Sequence, residues 1–103
     1  MKKFLLYRLL GEGGDPERQE ELVAVEYGED IEAVAQILVD EVAADTAELD
    51  EAAGGDTFAY APEPSDQLDY DYEVTGVISP ASATENILVD YIVRECEALP
   101  GEA

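Results

Sequence analysis

The chain has no histidine, a single cysteine, and only five cationic side chains among its 103 residues. Each shortage removes a class of function. Without imidazole there is no Ser-His or Cys-His nucleophile pair, no zinc site of ordinary composition, and no side-chain base that titrates near neutrality. One thiol, Cys96, rules out an internal disulfide. No apolar run approaches the roughly 20 residues of a membrane-spanning helix. The N-terminal KKFLLYRLL is too short, and too interrupted by Arg8, to be a signal peptide. The expectation is a soluble, cytoplasmic protein that is not an enzyme and uses no cofactor and no metal.

The cations are Lys2, Lys3, Arg8, Arg18 and Arg94, set against 26 acidic residues for a formal charge of −21. From Gln19 to Val93 there is no positive side chain, while twenty acids fall in that interval. Internal salt bridges cannot neutralise such a stretch. A nucleic-acid binder displaces counterions from phosphates with basic groups, so direct DNA or RNA binding is excluded, and anionic membrane surfaces are excluded on the same grounds. Gly11-Glu12-Gly13-Gly14 is followed by Asp15-Pro16 in place of Lys-Ser/Thr, which contradicts a phosphate-cradling loop. Asp69-x-Asp71-x-Glu73 begins like a calcium-binding loop but has Val74 at the glycine position and Pro80 at the bidentate-glutamate position.

What is present is enough apolar material to fold. At 47% hydrophobic residues, the length suits one domain, residues 1–103, with the last few frayed. Lys3 to Leu10 and Glu21 to Tyr27 alternate like the strands of an antiparallel hairpin with a glycine-bearing loop, 11–19, between them. Asp30 fits an N-cap ahead of the helical stripe Ile31, Val34, Ala35, Leu38 and Val42. Asp45-Thr46-Ala47-Glu48 resembles a capping box that restarts a second short helix through Ala53, with one bent helix as the alternative. Thr57–Ala61 and Leu68–Ile78 read as a second hairpin, with a bulge at Gly76. Ser82-Ala83-Thr84-Glu85 then caps a final helix with Leu88, Ile92, Cys96 and Leu99 on its apolar face, Cys96 being a small core residue. The order ββα(α)ββα predicts an α+β two-layer sandwich: a four-stranded, mostly antiparallel sheet with helices on one face. The other face is the natural binding surface, and an uncovered strand edge would allow a homodimer.

The segment LDYDYEV, Leu68 to Val74, concentrates the question. On a strand, Leu68, Tyr70, Tyr72 and Val74 face the core, and Asp69, Asp71 and Glu73 form a row at roughly 7 Å spacing on the other side. Neighbouring charges at that distance repel by roughly 0.6 kcal/mol in water, which a core tolerates but which lysines would have relieved. Together with Glu32, Asp40 and Glu51, and with Glu41 and Glu48 flanking, the row imitates a polyanion. The plainer reading is a solvated acidic face serving solubility. Tyr70 and Tyr72 read as core. Tyr7, Tyr27, Tyr60 and Tyr91 fit either side, and a tyrosine exposed beside carboxylates would make a hot spot for arginine.

In size, charge, cation-free interval and the acidic strand DYDYE, the chain resembles the small acidic inhibitors encoded by phages and mobile elements, including DNA-mimic anti-restriction and anti-CRISPR proteins. That class has no shared sequence signature, so no functional residue is carried over. The resemblance implies a positively charged partner, a nucleic-acid-binding nuclease or CRISPR effector of the bacterial host. The competing readings are an immunity or antitoxin partner of a cationic toxin, and an ordinary domain from a halophile.

Overall fold

Alternation fixes the first strand. In β1 (Lys2–Leu9), Phe4 and Leu6 are buried, and Arg8 continues the same face. The computed structural model describes residues 1–10, 19–49, 56–65, 70–79 and 85–101. β1 pairs antiparallel with β2 (Glu20–Gly28), as the hairpin reading expects, while most of the intervening loop lies outside the described residues. Leu6 pairs with Ala24 and Tyr7 with Leu22, so Val23 is an extra residue bulging from β2.

Asp30 caps the helix α1 (Ile31–Leu49) by accepting a hydrogen bond from the Ala33 amide at 2.9 Å. Val34, Leu38 and Val42 form its buried stripe, and Ile31 packs against the same core. The break predicted at Asp45 does not occur; the helix runs on without interruption. Asp45 and Thr46 compete poorly for a capping role because both have tertiary partners. Asp45 Oδ2 accepts from Arg8 Nη1 at 3.0 Å and from the Tyr91 hydroxyl at 2.6 Å. Thr46, fully buried, donates back to the Val42 carbonyl at 2.7 Å. The restart expected through Ala53 falls largely outside the described residues.

After α1 come β3 (Asp56–Ala59), the two-residue β4 (Glu63–Pro64), β5 (Tyr72–Ser79) and β6 (Ile87–Glu97). The second hairpin is present, since β3 pairs antiparallel with β5. Its long strand starts at Tyr72 instead of Leu68, and residues 66–69 lie outside the described set. Gly76 is not a bulge: it pairs in unbroken register with Ala59 and Val89. Glycine is needed there because a Cβ would stand 2.3 Å from Thr46 Oγ1 and 3.3 Å from Val42 Cγ1, so its absence lets α1 seat against the sheet.

The largest departure is the C-terminal segment. The predicted final helix is the strand β6, paired with β1 on one side and β5 on the other. Its Ile87, Val89, Ile92 and Val93 are β-branched, and the consecutive buried residues Tyr91, Ile92 and Val93 suit a central strand covered on both faces. Cys96 is exposed, not core, with its thiol 3.7 Å from the Lys3 carbonyl. The architecture is therefore α+β with six strands instead of four, in the order β2-β1-β6-β5-β3, with β4 also on β5 and every recorded pair antiparallel. Among the described residues one helix, α1, covers one sheet face through Phe4, Leu6, Val74, Tyr91 and Val93. It is not long and apolar enough to cross a membrane.

Candidate protein-interaction surface

The sheet face opposite α1 is read from the pairing, because residues that oppose one another across an antiparallel ladder share a face. Gly76 faces the helix, so Val77, Thr75 and Glu73 face away from it. Three rows follow. Phe58, Val77 and Leu88 lie side by side. Next come Tyr60, whose amide donates to the Thr75 carbonyl, then Thr75 and Asp90. Glu63, Glu73 and Ile92 form the third.

This surface is mixed in a way that solubility does not require. Phe58 is 41% exposed, Tyr60 56% and Leu88 62%, and the two rings meet edge to face with centroids 5.8 Å apart. Glu63 and Glu73 stand directly opposite each other, an arrangement that destabilises a ladder when no cation intervenes. The Glu73 carboxylate accepts a hydrogen bond from Ser65 Oγ at 3.1 Å, which is a neutral donor. Between Leu9, Glu73, Thr75, Asp90 and Ile92 the face dips into a cleft of about 150 Å³.

Three of the described cations, Arg8, Arg94 and Lys2, have acidic partners away from Glu63 and Glu73. Arg8 bonds Asp45 and, through Nη2, Glu21 at 2.6 Å. Burial works against its charge, but these hydrogen bonds outweigh it and raise the guanidinium above its ordinary value. Arg94 makes a bidentate pair with Glu20 at 2.5 and 2.6 Å and lies over the Tyr7 ring at 4.9 Å and the Tyr70 ring at 5.3 Å. The Glu20 bond pushes Arg94 up, and the same bond holds Glu20 below its usual range. Lys2 approaches Glu95 at 3.5 Å.

The acids expected to form one polyanion are dispersed. Asp69 and Glu51 lie outside the described residues. Asp71 turns Oδ2 to the Glu95 amide at 2.7 Å, closing the end of the β5–β6 ladder, so it does not continue the row of Glu73. Tyr72 packs on the helix side as expected, and burial, followed by nearby Glu95 and Asp71, raises its phenol. Glu32, Asp40 and Glu48 are exposed on α1, in the layer opposite Glu73. They are eight residues apart, which on a helix is about 12 Å of rise and about 80° of rotation per step, so they spiral around α1. Asp40 also accepts from Gln36 Nε2 at 3.0 Å. Sequence reasoning missed Glu63, Asp90, Phe58 and Leu88 as parts of a surface; only strand pairing brings them together.

Glu41 is turned inward. Both its carboxylate oxygens are buried with no donor to them among the described residues, and only a protonated Glu41 can hydrogen-bond, as donor, to the facing Glu26 of β2. Burial and that neighbouring carboxyl push Glu41 up to about 8, so it keeps its proton at neutral pH. Because its folded value lies above the unfolded one, its favourable contribution is complete below about pH 4.5 and fades as pH rises toward about 8. The Arg94-bound Glu20 has the opposite sign, its contribution being lost as pH falls below its unfolded value. Melting temperature is thus expected to peak in mildly acidic buffer. Glu41→Gln, whose amide can donate to Glu26, should gain on the order of 1–2 kcal/mol at pH 8 and little at pH 5. Equal gains at both pH values in thermal melts would reject the buried-proton account.

Among the described residues no group of three or more His, Cys, Asp or Glu side chains is arranged to hold a metal ion. In comparisons with known proteins, the chain matches no protein family, no curated protein and no solved structure.

Proposed function

We propose that this protein is a non-catalytic inhibitor that occupies the basic nucleic-acid-binding groove of a bacterial defence nuclease or CRISPR effector, offering carboxylates where phosphates normally lie. The observation that supports this reading is the exposed opposition of Glu63 and Glu73 beside the Phe58–Tyr60 pair. A solubility role calls for charges that are spread out; it gives no reason to set two against each other next to exposed aromatics. A cationic partner would turn that internal repulsion into binding energy. The acids spiralling around α1 contribute a long-range field that speeds encounter without having to touch the partner.

Displacement of labelled DNA or guide RNA from a purified effector tests the reading. Association is expected to slow by at least about tenfold between about 0.1 M and about 1 M salt, as the screening length contracts from about 10 Å to about 3 Å. The double variant Glu63→Gln/Glu73→Gln should fold normally and displace nucleic acid more slowly. Binding that leaves the nucleic acid in place, or whose rate ignores salt, would sink the proposal.

A further inference from the structure

We infer that the outer edge of β2 receives, by strand addition, an extended segment of a basic partner in which cationic and apolar side chains alternate; this rests on the cationic-partner reading above. β2 is a terminal strand of the sheet and, at nine residues, a long one; among the described residues only β1 pairs with it. Alternate backbone N–H and C=O groups along its other side are therefore a template for one more strand. The devices that commonly block such an edge are scarce here. β2 has no proline and no lysine, and its bulge at Val23 leaves residues 24–28 in regular register with β1. The far end of the sheet is built differently, from the four-residue β3 and the two-residue β4 with its Pro64.

Both sides of this edge select the incoming strand. On the helix side Glu41 faces Glu26 of β2, which marks the flank of α1 that borders the edge. Ile37, Ala44 and Glu48 follow the same flank at helical spacing and are exposed, Ile37 by 44%. Glu41, Ala44 and Glu48, with Asp45 and Val23, enclose a groove of about 280 Å³ between helix and strand. A strand added about 4.8 Å beyond β2 would send alternate side chains toward it. On the other side Leu22 is 52% exposed, and Val25 and Tyr27 share its face, half-buried. Charge decides the occupant. Arg8 takes up Glu21 and Asp45, and Arg94 takes up Glu20, but Glu26 and Glu48 have no cation among the described residues. An antiparallel second copy centred on residues 24–28 would set Glu26 against Glu26 and join two chains of charge −21. A segment with lysine or arginine toward α1 and aliphatic residues toward Leu22 meets both sides at once.

The experiment titrates the isotope-labelled full chain at low salt with a capped heptapeptide alternating arginine and valine, following amide shifts and hydrogen exchange. One counterpart is N-methylated throughout, so it keeps the charge but cannot donate to a ladder; another carries glutamate in place of arginine. The unmodified peptide is expected to slow exchange of β2 amides, to shift the Ala44 and Glu48 signals, and to bind at least about fivefold more tightly than the N-methylated one, the worth of one ladder hydrogen bond. The glutamate peptide should not bind. Glu48→Lys should weaken the arginine peptide about two- to fivefold, the scale of one exposed charge pair, while Asp56→Asn at the far end of the sheet should leave its affinity unchanged. Equal affinity for the two arginine peptides, or shifts confined to β5 and β6, would overturn strand addition and leave the cationic-partner reading standing. Protection of β2 amides that rises with the concentration of the chain alone would assign the edge to a second copy and overturn it equally. No response to either arginine peptide would overturn both readings.

Discussion

Replacing Gly76 by alanine is expected to cost more than about 3 kcal/mol and to leave the protein largely unfolded at ambient temperature, as measured by denaturant titration. The new methyl would sit 2.3 Å from Thr46 Oγ1, 3.1 Å from Tyr91 Cε1 and 3.3 Å from Val42 Cγ1. None of these can swing aside cheaply. Thr46 is fully buried and held by its bond to the Val42 carbonyl, while Tyr91, 1% exposed, is anchored at its hydroxyl by Asp45. The helix would have to lift from the sheet. Thr46→Ala removes the nearest atom, so the double variant should be less impaired than the sum of the single ones, and strict additivity would show that the contact is not what limits the site.

Asp45→Ala is the second large effect, expected at about 2–4 kcal/mol. Asp45 and Arg8 each keep only 16% of their side-chain surface exposed, and the Asp45 carboxylate also receives the Tyr91 hydroxyl. Truncation would strand a mostly buried guanidinium with only Glu21 as its partner, and Arg8 Nε is already without an acceptor among the described residues. It would also leave the Tyr91 hydroxyl to share the Thr46 oxygen 3.2 Å away. Burial and the Asp45 bond raise this phenol far above its ordinary range, so it stays protonated throughout the accessible pH range. Removing the charge on both sides, with Arg8→Met and Asp45→Leu together, should recover most of the loss because desolvation of the pair is also relieved. A loss below about 0.5 kcal/mol for Asp45→Ala would mean the bridge is a surface pair of the usual weak kind.

The first half of the chain was legible because its signals are local. Alternation in Phe4 and Leu6, the Asp30 cap and the Val34–Leu38–Val42 stripe each fix an element without reference to distant residues. The last strand misled for a definite reason. Leu88, Ile92 and Cys96 are spaced by four, and a spacing of four returns to the same side of a strand as well as nearly the same side of a helix. The discriminating signals were the β-branched residues and the unbroken Tyr91-Ile92-Val93 run. Asp45 looked out of place on a buried stripe, yet Arg8 falls on the same face as Phe4 and Leu6, so its partner was readable from the alternation of β1.

The candidate surface was readable only as fragments. Glu73 and Tyr60 stood out by charge and by chemistry, but Glu63 gains its meaning from standing opposite Glu73, and Asp90 from lying in the next row. Both relations depend on which strands become neighbours. The pairing of β6 with β1 joins residues more than eighty positions apart, from Lys2 against Glu97 to Arg8 against Tyr91, and no short-range pattern encodes it.

That central seam has a kinetic corollary. The two halves of the sheet meet only where its first and last strands zip together, so the ordering cost of a very long loop must be met before the seam contributes anything, and refolding should be slow for so small a chain. During synthesis β1 emerges early and waits with one flank bare until β6 leaves the ribosome. An apolar strand edge left without its neighbour is a template for pairing with another chain, and a net charge of −21 on every copy would oppose that encounter.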